Sequence, residues 1–336
     1  MTKLYLIRHA EAEGNIYRRM QGQYNSRITQ NGLRQIEALR RRFECVTVDA
    51  VYSSDLFRTR KTAEAIYLAK HLPLHTDPRF REVNVGAWEN VPFGELERCW
   101  PEALECFSRD PEHWSVPGAE CYDAYSARFE AGLREVAEAH PGETVAVFSH
   151  GCVLSGGLHR MIGLPHNAAR ADNASVSLLE YEDGCFRAVE LFDRSHLSEA
   201  ISTLARQRWW RQNGGRFNLW FRDPMPEDDA LYDPACAPQT TDRIWIAMLD
   251  DEAVGYVSIS DRTLSSLWLK PSHRHWRKGD QLLGQAVVEL RARGAQTLTF
   301  GVPTANLEAV GFFSHHARPV QMDDCYTVFE MEISVK

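Results

Sequence analysis

Apolar residues recur along the first half of the chain in short β-like runs separated by stretches of helical period. Leu4-Tyr5-Leu6-Ile7 and residues 46–51, 144–148, 175–181 and 187–192 are too short for ordinary helices and suit strands, the shortest of them buried on both faces. Residues 33–43, 59–71 and 122–140 instead carry apolar positions at helical spacing. Thr29 is placed to cap the first of these helices, and Pro141-Gly142 stops the last. Strands alternating with helices predict a three-layer α/β/α domain with a mostly parallel sheet over residues 1–197. Residues 101–117, with their proline, tryptophan and glutamate, predict a short helical lid.

Beyond residue 197 the pattern changes. Residues 198–212 read as a helix ending at the breaker Asn213-Gly214-Gly215, and the Pro- and Asp-rich stretch to 241 reads as a loop. This 198–241 segment is the expected start of a second domain. Residues 243–249 and 255–260 flank a turn and predict an antiparallel hairpin. Further strands are expected at 264–269, 296–302 and 326–333, with helices at 280–293 and around 306–313. The pattern predicts an α+β domain over residues 242–336, with a mixed, mainly antiparallel sheet. A chain of 336 residues is long enough for two domains, each with its own core.

Composition narrows the partners. Hydrophobic residues at 44% and charged residues at 25% fit a globular protein. A net charge of −8 argues against a nucleic-acid or membrane-surface partner, so any positive charge that holds an anion must be local. Eight cysteines are scattered without a Cys-x-x-Cys pair, which fits reduced thiols better than disulfides or a zinc site. No run approaches the roughly 20 apolar residues of a membrane span, and no cationic leader stands at the N-terminus, so the expected location is cytoplasmic.

Candidate chemistry gathers at the ends of the predicted strands. Arg8-His9 follows the first run, Arg58 the second, and His150 the run at 144–148, with Glu82 in a loop. In open α/β sheets ligands collect where strands end. An arginine there holds an anionic group while an imidazole attacks it. Taken singly, each residue is equally an ordinary surface arginine, satisfied histidine or loop acid.

Together the motifs say more. Leu6-Ile7-Arg8-His9-Ala10-Glu11, Ser54-Asp55-Leu56-x-Arg58-x-x-x-Thr62-Ala63, Glu82 ahead of Gly86-x-Trp88-Glu89, and Ser149-His150-Gly151 occur in that order. On these residues the chain resembles the histidine phosphatase, or phosphoglycerate-mutase-like, superfamily from residue 1 to about 197. The resemblance implies His9 as nucleophile, Glu82 as general acid/base, and Arg8, Arg58 and His150 as phosphoryl clamps, His150 adding positive charge if protonated. Asn15, Gln21 and Gly22 match positions that contact phosphate or substrate. No metal is implied, and the sequence presents no ligand cluster. Ala10 replaces the glycine usual after the catalytic histidine, adding a methyl near the pocket.

The implied activity is hydrolysis of a small phosphorylated metabolite. Mutases of the family carry a basic insertion after the acid, whereas here only 67 residues separate Glu82 from His150, and they are rich in acids. A phosphoglycerate-mutase-type phosphotransferase is the alternative within the family.

From about residue 200 the chain resembles a GNAT-type N-acetyltransferase. The features are the hairpin, the Arg274-x-x-x-x-Gly279 loop, Leu282-Leu283 and Asn306-x-x-Ala309-x-x-x-Phe313. This resemblance implies acetyl-CoA as cofactor, with Arg274, Arg277, Lys278, Gly279 and Asn306 at its site. Three departures stand out. Arg277 replaces the loop's first glycine, Asp280 puts a negative charge where a pyrophosphate is expected, and Phe313 stands in place of a proton-donating tyrosine. An acetyl-CoA-dependent transferase or acyl-CoA sensor with a degenerate phosphatase domain is therefore the second class of reading. No feature bears on oligomeric state.

Overall fold

The computed structural model describes residues 1–166, 171–214, 216–234 and 236–335, so Gly215 of the expected helix break lies outside the described residues. In chain order the first elements are strand β1 (Thr2–Arg8), helices α1 (Glu13–Tyr17) and α2 (Gln30–Arg42), strand β2 (Ala50–Ser53), helix α3 (Phe57–Tyr67) and strand β3 (Leu74–Thr76). Helices α4 (Phe93–Cys99), α5 (Pro101–Arg109) and α6 (Tyr122–Ala139) follow, then strand β4 (Thr144–Ser149), helix α7 (Gly151–Ile162) and strands β5 (Val176–Glu182) and β6 (Cys185–Asp193). Helix α8 (Thr203–Gly214) leads to strands β7 (Trp220–Arg222), β8 (Arg243–Leu249), β9 (Glu252–Ser260) and β10 (Thr263–Leu269). Helix α9 (Lys278–Ala292), strand β11 (Thr297–Pro303), helix α10 (Leu307–Ser314) and strands β12 (Arg318–Met322) and β13 (Tyr326–Glu332) complete the order.

These elements form two compact units. The first comprises Met1–Ala12, Met20–Val91 and Trp100–Trp209; the second comprises Glu13–Arg19, Pro92–Cys99 and Trp210–Lys336. In the first unit a six-stranded sheet runs β3-β2-β4-β1-β5-β6. Strands β3, β2, β4 and β1 are parallel, and β5 and β6 add an antiparallel edge. The apolar run Val145-Ala146-Val147-Phe148 is fully buried, as a central parallel strand covered on both faces requires. The β5–β6 turn is Asp183-Gly184, both with positive φ (50° and 79°), a two-residue turn whose twist matches the hairpin. The second strand forms at Ala50–Ser53 rather than 46–51: Val48 is buried in the core from the loop that leaves α2, without strand pairing.

Helices α6 and α7 approach closely because α7 has glycines at their contact. A β-carbon at Gly156 would lie 2.5 Å from the Tyr125 ring, and one at Gly157 would lie 2.3 Å from that of Phe129. This packing carries α7, whose first turn belongs to the candidate site below.

In the second unit every described strand pairing is antiparallel. One sheet runs β10-β9-β8-β7 and another β11-β13-β12. Helix α9 buries Leu282, Leu283, Ala286, Val287 and Leu290 against them. Helix α1 is part of this unit's core: Tyr17 occupies the space that a side chain at Gly284 would need, and Glu13 pairs with Arg291 at 2.7 Å. Among the described residues no helix is long and apolar enough to cross a membrane, and all eight cysteines are free thiols.

Replacing Gly157 by Ala should overpack the α6–α7 contact and lower stability by about 1–3 kcal/mol. Urea denaturation followed by circular dichroism measures the shift, and an unchanged midpoint would mean that Phe129 moves aside without cost.

Candidate active site

Sheet register brings the two histidines together. Arg8 on β1 is the register partner of Ser149 on β4, so the next residues, His9 and His150, leave adjacent parallel strands side by side. The His9 amide donates to the Ser149 carbonyl at 2.9 Å, and the two imidazole centroids are 5.2 Å apart. On the other side of β4, the Ser54 amide donates to the Phe148 carbonyl at 2.9 Å, which places the Ser54 hydroxyl 3.0 Å from His150 Nε2.

His9 is buried, and its Nδ1 lies 2.8 Å from the Ala10 carbonyl oxygen. A carbonyl can only accept, so Nδ1 carries the hydrogen and Nε2 is left with a lone pair. Burial, and then the charges of Arg58 and Arg8, hold the imidazole neutral by pushing its pKa well below the ordinary value. Asn173 fixes the backbone from behind, its side-chain amide donating to the His9 carbonyl at 3.1 Å.

The two arginines are anchored by backbone carbonyls rather than by acids. Arg58, in the first turn of α3, donates to the carbonyls of Tyr24 at 2.9 Å and Gly22 at 2.7 Å. Its pKa is brought down to about 10, by burial above all, so it stays charged at neutral pH. Arg8 donates to the Ala171 carbonyl at 2.6 Å, and its guanidinium lies over Gly151, 3.2 Å from where a β-carbon would stand. Both arginine Nε–H groups are buried and have no acceptor among the described residues.

His150 departs from the positive clamp considered above. Burial, together with Arg58, His9 and Arg8, pushes its pKa well below the ordinary value. The Ser54 hydroxyl accepts from the Leu56 amide at 3.3 Å and can donate to His150 Nε2. The neutral ring then presents Nδ1–H, which has no partner among the described residues.

Glu82 follows the 3₁₀ turn Pro78–Phe80 and docks on the first turn of α7. Its Oε1 accepts from the amides of Val83 at 3.0 Å and Val153 at 2.9 Å, and its Oε2 accepts from Cys152 at 3.0 Å. Oε1 thus uses both lone pairs, whereas Oε2 keeps one and can hold a proton. Arg128 on α6 holds the backbone beneath, donating to the carbonyls of Arg79, Arg81 and Glu82 at 2.7–2.9 Å.

Of the remaining expected residues, Gly22 offers its carbonyl to Arg58, and a side chain there would strike Glu89. Gln21 accepts from the Ser26 hydroxyl at 3.1 Å. Asn15 lies on α1, within the second unit. The Ala10 methyl packs with Ala174 and Leu197 in an apolar cluster, so it does not project among the polar groups of the site. Glu89, Asn173 and Arg128 were not singled out as site residues. Glu89 accepts from the amides of Gln23 at 2.7 Å and Tyr24 at 3.0 Å and so shapes the loop that anchors Arg58. Its place in the Gly86-x-Trp88-Glu89 stretch was the available signal.

The family model of the histidine phosphatase superfamily (branch 1) matches residues 4–194, more than half of the chain. The chain belongs to the histidine phosphatase superfamily. A model of the acetyltransferase (GNAT) family matches residues 204–317. Among relatives of this phosphatase-superfamily member, the probable phosphoglycerate mutase GpmB of Yersinia pestis (strain Pestoides F) is 34% identical over 189 residues, covering 54% of this chain and 86% of the relative. The solved structure of YhfR from Bacillus stearothermophilus is 30% identical, with a TM-score of 0.57, over 59% of this chain and all of that one. The alpha-ribazole phosphatase from Shigella flexneri is 26% identical, with a TM-score of 0.51, over 57% of this chain and 96% of its own.

In the GNAT unit, Arg274 and Arg277 lie in the loop before α9 and Lys278 and Gly279 in its first turn, and Asn306 caps α10 by accepting from the Ala309 amide at 3.1 Å. Arg274 joins the two places through Glu308 at 2.8 Å. Arg277 takes a left-handed conformation (φ 59°) where the family's glycine would be unstrained, and it pairs with Asp280 at 3.2 Å. The buried Asp280 also faces His316 Nε2 at 2.8 Å. Lys278 is buried 3.1 Å from His273 Nδ1, and Phe313 packs among Phe300, Phe312 and Phe329 as a core residue.

The buried histidines set the acid side of the stability profile. Unfolding releases His9 and His150 to take up protons near pH 6.5, while the folded chain takes them up only well below it. Stability should therefore be level above about pH 6.5 and fall below it, by up to about 1.4 kcal/mol per pH unit for each histidine. His196, held down to about 4 mainly by burial, adds to the loss between those values. Urea midpoints at pH 7.5, 6.5 and 5.5 measure the slope, and His150→Gln should make it shallower by one histidine's share.

Proposed function

We propose that the phosphatase-superfamily unit hydrolyses small phosphomonoesters through a phosphohistidine on His9. The observation that carries this reading is a neutral, oriented imidazole beside the buried Arg58 and the partly buried Arg8, whose Nε–H groups have no acceptor among the described residues. In the first step His9 Nε2 forms a bond to phosphorus as the ester P–O bond breaks, and Glu82 Oε2 gives its proton to the departing alkoxide. Water then attacks phosphorus and gives a proton to Glu82 as the N–P bond breaks, releasing phosphate. Arg8, Arg58 and the neutral His150 donate to the phosphoryl oxygens, where charge gathers in the transition state.

Relatives bear both mutase and phosphatase names, so the distinction rests on this chain's own residues. Helix α5 carries Phe107, packed with Trp88 and Trp114 at centroid distances of 4.7–5.8 Å, and its acids Glu102 and Glu105 are exposed. This acidic and aromatic segment offers little to a second phosphate, which favours hydrolysis.

His9→Ala should abolish turnover of an aryl phosphate. Glu82→Gln should slow it by roughly 10²–10⁴-fold, most for alkyl esters whose alkoxides are poor leaving groups. Isotope-labelled phosphate should appear free in solution; label moving between substrate hydroxyls would instead identify a mutase.

For the GNAT unit we infer a fold that has lost ready access to acetyl-CoA. A pyrophosphate at the start of α9 would meet the buried Asp280 carboxylate, already paired with Arg277 and facing His316. Calorimetric titration of the full chain with acetyl-CoA should show no saturable heat at micromolar concentrations. A micromolar dissociation constant would restore the acyl-CoA reading.

A further inference from the structure

Glu112, His159 and His166 meet in the first unit, and none of them is among the residues assigned to phosphoryl transfer. They come from three segments: the loop after α5, the last turns of α7, and the turn that follows it. His159 Nε2 is 3.1 Å and His166 Nε2 is 3.3 Å from the same Glu112 oxygen, and the two imidazoles stack with centroids 3.9 Å apart and planes 17° from parallel. His159 Nδ1 lies 2.8 Å from the Leu164 carbonyl. That carbonyl can only accept, so Nδ1 carries the hydrogen and the neutral ring turns the Nε2 lone pair toward a carboxylate oxygen. Something positive must lie between them, either a proton or a cation shared by all three ligands.

We propose that this cluster is a binding site for a divalent transition-metal ion of the zinc type. Ligands about 2.0–2.1 Å from a tetrahedral zinc ion lie about 3.3 Å from one another, close to both observed N···O separations, and one of the stacked rings turns on binding so that both Nε2 lone pairs meet the ion. Two imidazole nitrogens and one carboxylate oxygen select zinc, cobalt or nickel over magnesium or calcium. The carbonyl that fixes His159 through its other nitrogen is the outer partner that metal-binding histidines have. Glu112 is exposed, so water completes the coordination. The ion ties the loop after α5 to α7, whose opposite end holds Glu82 through Cys152 and Val153. His159 is about 10 Å along the helix from Cys152, so the role is structural. The sequence implied no metal because the three ligands lie in separate segments.

The test uses the full chain, stripped with a chelator and titrated with Zn²⁺ against a chromophoric competitor. One equivalent should bind, with a rise in Tm, and His166→Gln and Glu112→Gln should each weaken it 10- to 100-fold while circular dichroism stays unchanged. The exposed thiols of Cys45, Cys99, Cys121, Cys185 and Cys325 could also take zinc. Titration with Co²⁺ separates the sites, since an imidazole–carboxylate site lacks the intense near-ultraviolet band of thiolate ligation. Binding that persists in both variants, a thiolate band for the first equivalent, or no bound metal at all would overturn the proposal. The last outcome would leave a proton-bridged cluster only.

Discussion

Two guanidiniums and two imidazoles come together at the sheet edge of the first unit while Glu82 is held on the amides of a neighbouring helix, and the unit is arranged to sustain that imbalance. Leaving a buried donor without a partner costs on the order of 1–3 kcal/mol. Arg8 Nε, Arg58 Nε and His150 Nδ1 all stand in that condition. The cheapest relief would be an ion pair between Glu82 and Arg58. The fold prevents it by satisfying Glu82 with three backbone amides. In the proposed reaction those donors receive the oxyanion, and burial, with the charges of Arg58 and Arg8, keeps His9 neutral.

Both units contain a helix start suited to an anion, and they use it differently. The first turn of α7 receives Glu82, a side chain from a distant loop, and so positions the group that carries protons in the proposed reaction. The first turn of α9 contains its own carboxylate, the buried Asp280, which pairs with Arg277 and faces His316. In each case the amides at a helix N-terminus favour negative charge. At α7 that charge comes from another segment of the chain, and at α9 it comes from the helix itself.

Packing supports the candidate site from outside. Glycines on α7 let α6 come close, and Arg128 on α6 then reaches the backbone of residues 79–82. Glu89 organises the loop whose carbonyls hold Arg58. Neither residue faces phosphorus in the proposed reaction, yet each fixes a group that does.

Much of this was legible along the chain. Buried parallel strands are continuous apolar runs, and residues placed just beyond them fall at one edge of a sheet, so Arg8, His9 and His150 could be placed together before any coordinates. Helix caps such as Thr29 and the Asp183-Gly184 turn act over a few residues and are equally local. Short edge strands were not legible: β12 is wholly exposed, contains Pro319 and has no alternation to detect. Nor could the sequence assign α1 and α4 to the second unit, show that Asp280 meets His316, or bring Glu112 to His159 and His166. Residue type and period are properties of neighbours in the chain. Which donor is left unpaired, and which acid is held away from which cation, depends on side chains that only the folded packing brings within hydrogen-bond reach.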